Sequence, residues 1–236
     1  MKWHTILRDK NSFFNRIDIN LSGIDVGILG VDNCGKSVLY NFILTHQLKH
    51  GIGSTSSRKN QKTIYIEIKF ENSKESIIKL RNFFDVGGQR DLYALKKDTF
   101  NQSYCIIYVV RSDLILDIGG TQDNDVIRKY RAALELDFAN ISQWQRDLNF
   151  WQRNSFSKLI IVGNYFGEID NEKTVSDYLS NQKDYHRYFR DRFTDITGGL
   201  YFPKTEIKWV TGTLVSQKFA TELVHGILKS LISQET

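Results

Sequence analysis

Cysteine is nearly absent from this chain: of 236 residues, only Cys34 and Cys105 carry a thiol. Both fall in predicted core or motif positions, which excludes a disulfide framework and favours a reducing, cytoplasmic setting. Long apolar runs are missing as well. None approaches the roughly 18 residues that a membrane-spanning helix needs, and Met1-Lys2-Trp3-His4 does not open a secretory signal. Lys2 excludes myristoylation at a second-position glycine. Charge of one sign is not concentrated in any segment. The 32 basic and 27 acidic residues leave a net +5, interspersed along the chain, so there is no basic tail and no nucleic-acid partner is expected. Repeats and linkers are absent too. One large domain is therefore expected over residues 23–236, after an amino-terminal extension over residues 1–22. What is present, 41% hydrophobic residues with 13% aromatics, suits a soluble globular chain with one sizeable core.

Short apolar runs predict six strands, at residues 25–30, 63–70, 77–85, 105–110, 159–163 and 207–211. Helical spacing predicts helices over residues 37–50, 125–153, 176–193 and 215–232. Strands alternating with helices imply an α/β fold, a doubly wound and mostly parallel six-stranded sheet with helices on both faces. The second and third strands are separated by residues 71–76 alone. That is room for a hairpin but not a crossover, so one antiparallel edge strand is expected.

Between the first strand and the first helix stands GVDNCGKS, residues 30–37. Its spacing, Gly30, four residues, Gly35, Lys36 and Ser37, is that of a phosphate-binding loop. Glycines let the backbone curl its N–H groups toward phosphate oxygens, and the helix start adds a positive end. Lys36 would reach the terminal phosphates and Ser37 would offer a hydroxyl to magnesium. Farther on, FFDVGGQR, residues 83–90, sets Asp85 at the end of an apolar strand, followed by two glycines.

Taken together, these two stretches resemble the phosphate loop and second switch of regulatory GTPases. The D-V-G-G-Q run is similar to that shared by Arf-like GTPases and heterotrimeric G-protein alpha subunits, without room for the helical insert of the latter. The resemblance covers roughly residues 25–231. It implies a P-loop NTPase fold of the G-domain type and a switch that binds and slowly hydrolyses GTP, with GTP/GDP and Mg2+ as its ligands. In the loop, Asp32, Asn33, Cys34, Gly35, Lys36, Ser37 and Val38 would contact nucleotide. Gly88 would offer its N–H to the terminal phosphate, and Gln89, the catalytic residue, would orient the attacking water. Ser37, Asp85 and a first-switch threonine would serve the metal, with Thr63 and Thr55 competing for that last place. The nearest arginine, Arg58, does not match the family's offset and is expected to be a solvated loop residue.

Base recognition is where the chain departs from the family. The N-K-x-D pattern is replaced by Asn164, Tyr165, Phe166 and Gly167, so the carboxylate that pairs with guanine is missing from its place. Losing it costs roughly 1–3 kcal/mol per underpaired buried group. Tyr165 would stack on the base, and Thr211, Gly212 and Thr213 would offer backbone groups to it. Effector proteins, an exchange factor and a GTPase-activating protein are the implied partners. A peripheral membrane contact through Trp3, Ile6, Leu7, Phe13 and Phe14 is left open. Two other readings stand beside the switch: a pseudo-GTPase interaction module without turnover, and a nucleotide-binding protein of altered base specificity.

Overall fold

The computed structural model describes residues 2–3, 23–49, 51, 57–69, 75–116, 124–148, 156–165, 182–199, 202 and 205–232. Among the described residues, seven strands form one sheet. They are β1 (Lys2–Trp3), β2 (Ile24–Gly30), β3 (Arg58–Lys69), β4 (Glu75–Val86), β5 (Cys105–Arg111), β6 (Lys158–Asn164) and β7 (Glu206–Gly212). Spatially they run β1-β3-β4-β2-β5-β6-β7. The α/β class and mostly parallel sheet match the sequence expectation; the strand count and the edge do not. A two-residue strand, β1, pairs parallel to β3 at Glu67 and Ile68, so the antiparallel strand β3 is second from the edge. So short a strand within a polar stretch leaves no period to read.

Helices α1 (Lys36–Thr45), α2 (Tyr93–Gln102), α3 (Ser112–Leu116), α4 (Asn124–Asp147), α5 (Gln182–Ile196) and α6 (Gln217–Ile232) flank the sheet. Helix α1 stops earlier than its apolar spacing predicts. His46 turns left-handed at φ 58° and its N–H returns to the Phe42 carbonyl at 2.8 Å. The Gln217 amide then donates to the His46 carbonyl at 2.8 Å, which fixes the exit. The long helix α4 likewise ends at Asp147 rather than residue 153, and the expected start of α5 lies outside the described residues. None of the described helices is long and apolar enough to cross a membrane. The amino-terminal apolar residues Ile6, Leu7, Phe13 and Phe14 also fall outside the described residues.

Side chains alternate across the sheet, as a pleated strand requires. Along β5, Cys105, Ile107 and Val109 enter the core beneath α1 and α6, while Ile106, Tyr108 and Val110 enter the core beneath α4 and α5. Both faces are buried, which explains why this strand reads as a continuous apolar run rather than an alternating one. Trp144 fills the second core at 2% exposure and donates to the Tyr93 hydroxyl at 2.7 Å, so it is packing rather than an exposed anchor.

Strand order places β2 at the centre, between β4 and β5. From β2 the chain passes through α1 to β3 and turns back along β4 on one side of β2, and from β4 it crosses to β5 on the other. A crevice opens at the carboxyl ends of strands where the winding reverses in this way. Residues 30–37 lie at that point.

Candidate functional site

Gly30 ends β2 at φ 150°, and a Cβ there would stand 2.1 Å from the Val109 carbonyl oxygen. Only glycine fits. Asn33 and Gly35 are left-handed, at φ 55° and 93°, and α1 begins at Lys36 with no side chain capping it. The loop therefore curls into the amino end of a ten-residue helix whose N-cap, Gly35, has no side chain to cap it. Lys36 is buried, and its ammonium donates to the Val31 carbonyl at 2.6 Å and approaches the Cys34 sulfur at 3.6 Å. Burial holds the Cys34 thiol above its ordinary pKa, so it stays protonated beside that ammonium.

Two further loops close on this one. Ser37 donates its hydroxyl proton to Asp85 Oδ2 at 2.9 Å. A Cβ on Gly88 would stand 2.4 Å from both N and Cα of Asp32, so Gly88 lies directly on the backbone of the loop at residues 30–37. Gln89 is half-buried and extended, leading into a single 3-10 turn at Arg90–Leu92. Burial and the Asp85 carboxylate together push the Tyr40 hydroxyl up to about 12.

At the other end, Asn164 is 1% exposed and joins three segments. Its amide donates to the Cys34 carbonyl at 3.1 Å, and its oxygen accepts from the Leu214 N–H at 3.1 Å. Tyr165 N–H reaches the Gly212 carbonyl at 2.8 Å, and the Thr213 hydroxyl reaches the Tyr165 carbonyl at 2.8 Å. Thr211 faces α5, with its hydroxyl 3.5 Å from His186 Nδ1. The structure thus brings the loop at residues 30–37, Asp85, Gly88, Gln89, Asn164, Tyr165 and Thr213 to the carboxyl ends of the central strands.

The remaining expected site residues differ in their settings. Val38 packs partly buried against the core between α1, α6 and the sheet. Asp32 is half-buried and Asn33 exposed at the loop tip. Thr63 does not join Ser37 and Asp85. It is exposed on β3 at φ 48°, whereas Lys59 is the β3 residue opposite Asp85. Four residue steps, about 13 Å of extended strand, separate Thr63 from the position opposite Asp85. Thr55, its competitor, lies outside the described residues, as do Phe166 and Gly167.

Arg58 corrects an expectation. It is not a solvated loop residue but the first residue of β3, ion-paired to Asp98 of α2 and lying 5.0 Å over the Phe84 ring. The sequence reading also passed over Lys96, whose buried ammonium bonds the Gly88 carbonyl at 3.1 Å. Its burial leaves no mark in the sequence, where a lysine in a polar stretch reads as solvated.

Chemically, the site offers a cationic, N–H-lined loop suited to an anion. Beside it is a pair of hard oxygen donors, Ser37 and Asp85, suited to a small divalent cation that keeps waters and phosphate oxygens as its other ligands. Neither a search of protein-family models nor a search of curated proteins finds a match for this chain.

Proposed function

We propose that the protein is a GTP-binding switch of the Arf-like or G-alpha-like kind, on a P-loop G domain, with slow hydrolysis of bound GTP and partner choice set by nucleotide state. One observation carries the reading: the curled loop at residues 30–37 meets Asp85 and Gly88 at the reversal point of the sheet, through the Ser37–Asp85 bond of 2.9 Å. Lys36 and the amino end of α1 would bind the phosphates. Ser37 and Asp85 fit Mg2+, which when bound neutralises charge on the phosphate oxygens. Gly88, against the Asp32 backbone, would sense a terminal phosphate, and Gln89 beside it would hold water. Effectors, an exchange factor and an activating protein are the partners this reading implies.

Asn164 favours a second reading for the base. Its amide donates one hydrogen bond to the Cys34 carbonyl and accepts one from the Leu214 N–H, and it is nearly inaccessible, so it would chiefly hold the base loop. Guanine preference then rests on Tyr165 and the backbone near Thr213, which points to relaxed base specificity. The test is nucleotide extraction from purified protein, followed by binding of a fluorescent GTP with ATP and XTP as competitors, with and without EDTA. GTP should bind, weaken at least tenfold in EDTA, and be displaced less well by ATP. Folded protein that binds no nucleotide would refute the proposal, and equal displacement by ATP would establish relaxed specificity.

A further inference from the structure

Between the glycine loop and α4 lies a buried polar chain that phosphate binding does not need. Lys96, on α2, is 5% exposed, and such a charge is retained in a core only when its donors are met. They are met from two sides. Its ammonium donates to the Gly88 carbonyl at 3.1 Å and to both carboxylate oxygens of Asp137 on α4, at 3.1 and 3.2 Å. Tyr108, on β5 next to β2, donates its hydroxyl proton to Asp137 Oδ2 at 2.7 Å. Burial and the neighbouring Asp137 carboxylate raise the Tyr108 pKa well above the usual range, so the hydroxyl keeps that proton. The Tyr108 ring is itself set edge-on against Phe138, one residue beyond Asp137, at 4.7 Å between centroids. The carboxylate is therefore fixed by the sheet and by its own helix, and the ammonium by the carboxylate.

The consequence falls on one peptide unit. With no cis bonds among the described residues, the Gly88 carbonyl and the Gln89 N–H point in opposite directions across a planar peptide. Fixing the carbonyl on Lys96 fixes which way Gln89 leaves the loop. Gly88 has little freedom on its other side, where its Cα already lies against the backbone of Val31 and Asp32. It is held between a buried ammonium and the phosphate loop.

We infer that Lys96, oriented by Asp137 and Tyr108, is a positioning residue that holds the Gly88–Gln89 peptide in register with the phosphate loop and so favours triphosphate over diphosphate. This rests on the GTP reading above and extends it to residues on α2, α4 and β5. A diphosphate engages the phosphate loop and the amino end of α1, which Lys96 does not touch. Only a ligand reaching Gly88 should sense the chain of contacts.

Lys96→Met, Asp137→Asn and Tyr108→Phe test it. Binding of GDP and of guanosine 5′-(β,γ-imido)triphosphate is measured with Mg2+, alongside amide hydrogen exchange of residues 86–90 without nucleotide. Lys96→Met should leave GDP affinity within about threefold, lower triphosphate affinity at least tenfold, and speed exchange of that segment about tenfold while sparing α1. Tyr108→Phe, which removes one oxygen, should shift the same ratio about threefold and decides the matter if Lys96→Met does not fold. A merely structural ion pair would lower the melting temperature and leave the ratio within twofold and exchange unchanged; that result overturns the inference. Equal loss of both nucleotides overturns it too. If the wild-type protein binds neither nucleotide, the GTP reading falls, and exchange alone then decides whether Lys96 holds the loop.

Discussion

Replacing Asn164 with alanine removes a side chain that ties the loop at residues 30–37 to the segment after β7. The residue is 1% exposed, and its two bonds, to the Cys34 carbonyl and from the Leu214 N–H, are each 3.1 Å. Alanine fills neither role and leaves two buried main-chain groups without partners. An orphaned buried polar group costs about 1–3 kcal/mol. Allowing for partial relaxation, the loss is about 3 kcal/mol, a large part of the roughly 5–15 kcal/mol that holds a domain folded. For a chain of this length that is a melting temperature lower by about 6–12 °C. Asn164→Asp is a sharper probe. It keeps the acceptor for Leu214 but sets a carboxylate oxygen against the Cys34 carbonyl, so it should be as destabilising at neutral pH and partly recover when the carboxyl is protonated. Asn41→Ala serves as the control: it loses a single part-buried bond to the Ser37 carbonyl at 2.6 Å. The better helix propensity of alanine, about 0.5 kcal/mol, offsets part of that loss. Urea unfolding of the three variants is the assay. A loss below about 1 kcal/mol for Asn164→Ala, no greater than the control, would refute the role assigned to this side chain.

Lys36→Ala or Ser37→Asn should weaken nucleotide binding at least tenfold, measured with a fluorescent nucleotide on protein shown to be folded. Gln89→Leu should keep triphosphate affinity within about threefold and slow single-turnover hydrolysis at least tenfold, about 1.4 kcal/mol in the barrier. Stability should fall as pH drops below neutrality. Burial and Arg190 lower the pKa of His186, and burial and His46 lower that of His225, both below the ordinary 6.5. The unfolded chain then binds protons first, so stability is full above about 6.5 and is lost as pH falls through the folded values; urea midpoints between pH 8 and 5 check this.

The central strands were legible because burial on both faces leaves an unbroken apolar run, as Ile106 to Val110 show. Helix α2 was not. Its inward positions are Lys96, Thr99 and Phe100, and one aromatic among polar residues makes no helical period. The first residues of β3 escaped for a related reason: Lys59, Asn60 and Gln61 are exposed, and their strand is set by pairing with Phe83, Phe84 and Asp85 rather than by their own preference. Thr63 illustrates a different limit. A β-branched residue at φ 48° is unusual, and residue type gives no sign of it.

The same distinction divides the candidate site. Gly30, Gly35, Lys36 and Ser37 can be read from one stretch because the constraint on them is local: a curled backbone, a close approach to Val109, a helix beginning at a fixed offset. The residues that hold this stretch in place answer to partners far along the chain. Asn164 bonds a carbonyl 130 positions away and an N–H 50 positions away, and Lys96 bonds a carboxylate 41 positions away. No spacing rule joins such pairs, since the sheet order alone brings them together. Motif residues can therefore persist in a chain whose supporting contacts are its own. Asn164 bonded to backbone on two sides and Gly88 held by a buried lysine are such contacts, and they make the supports of this loop the informative places to mutate.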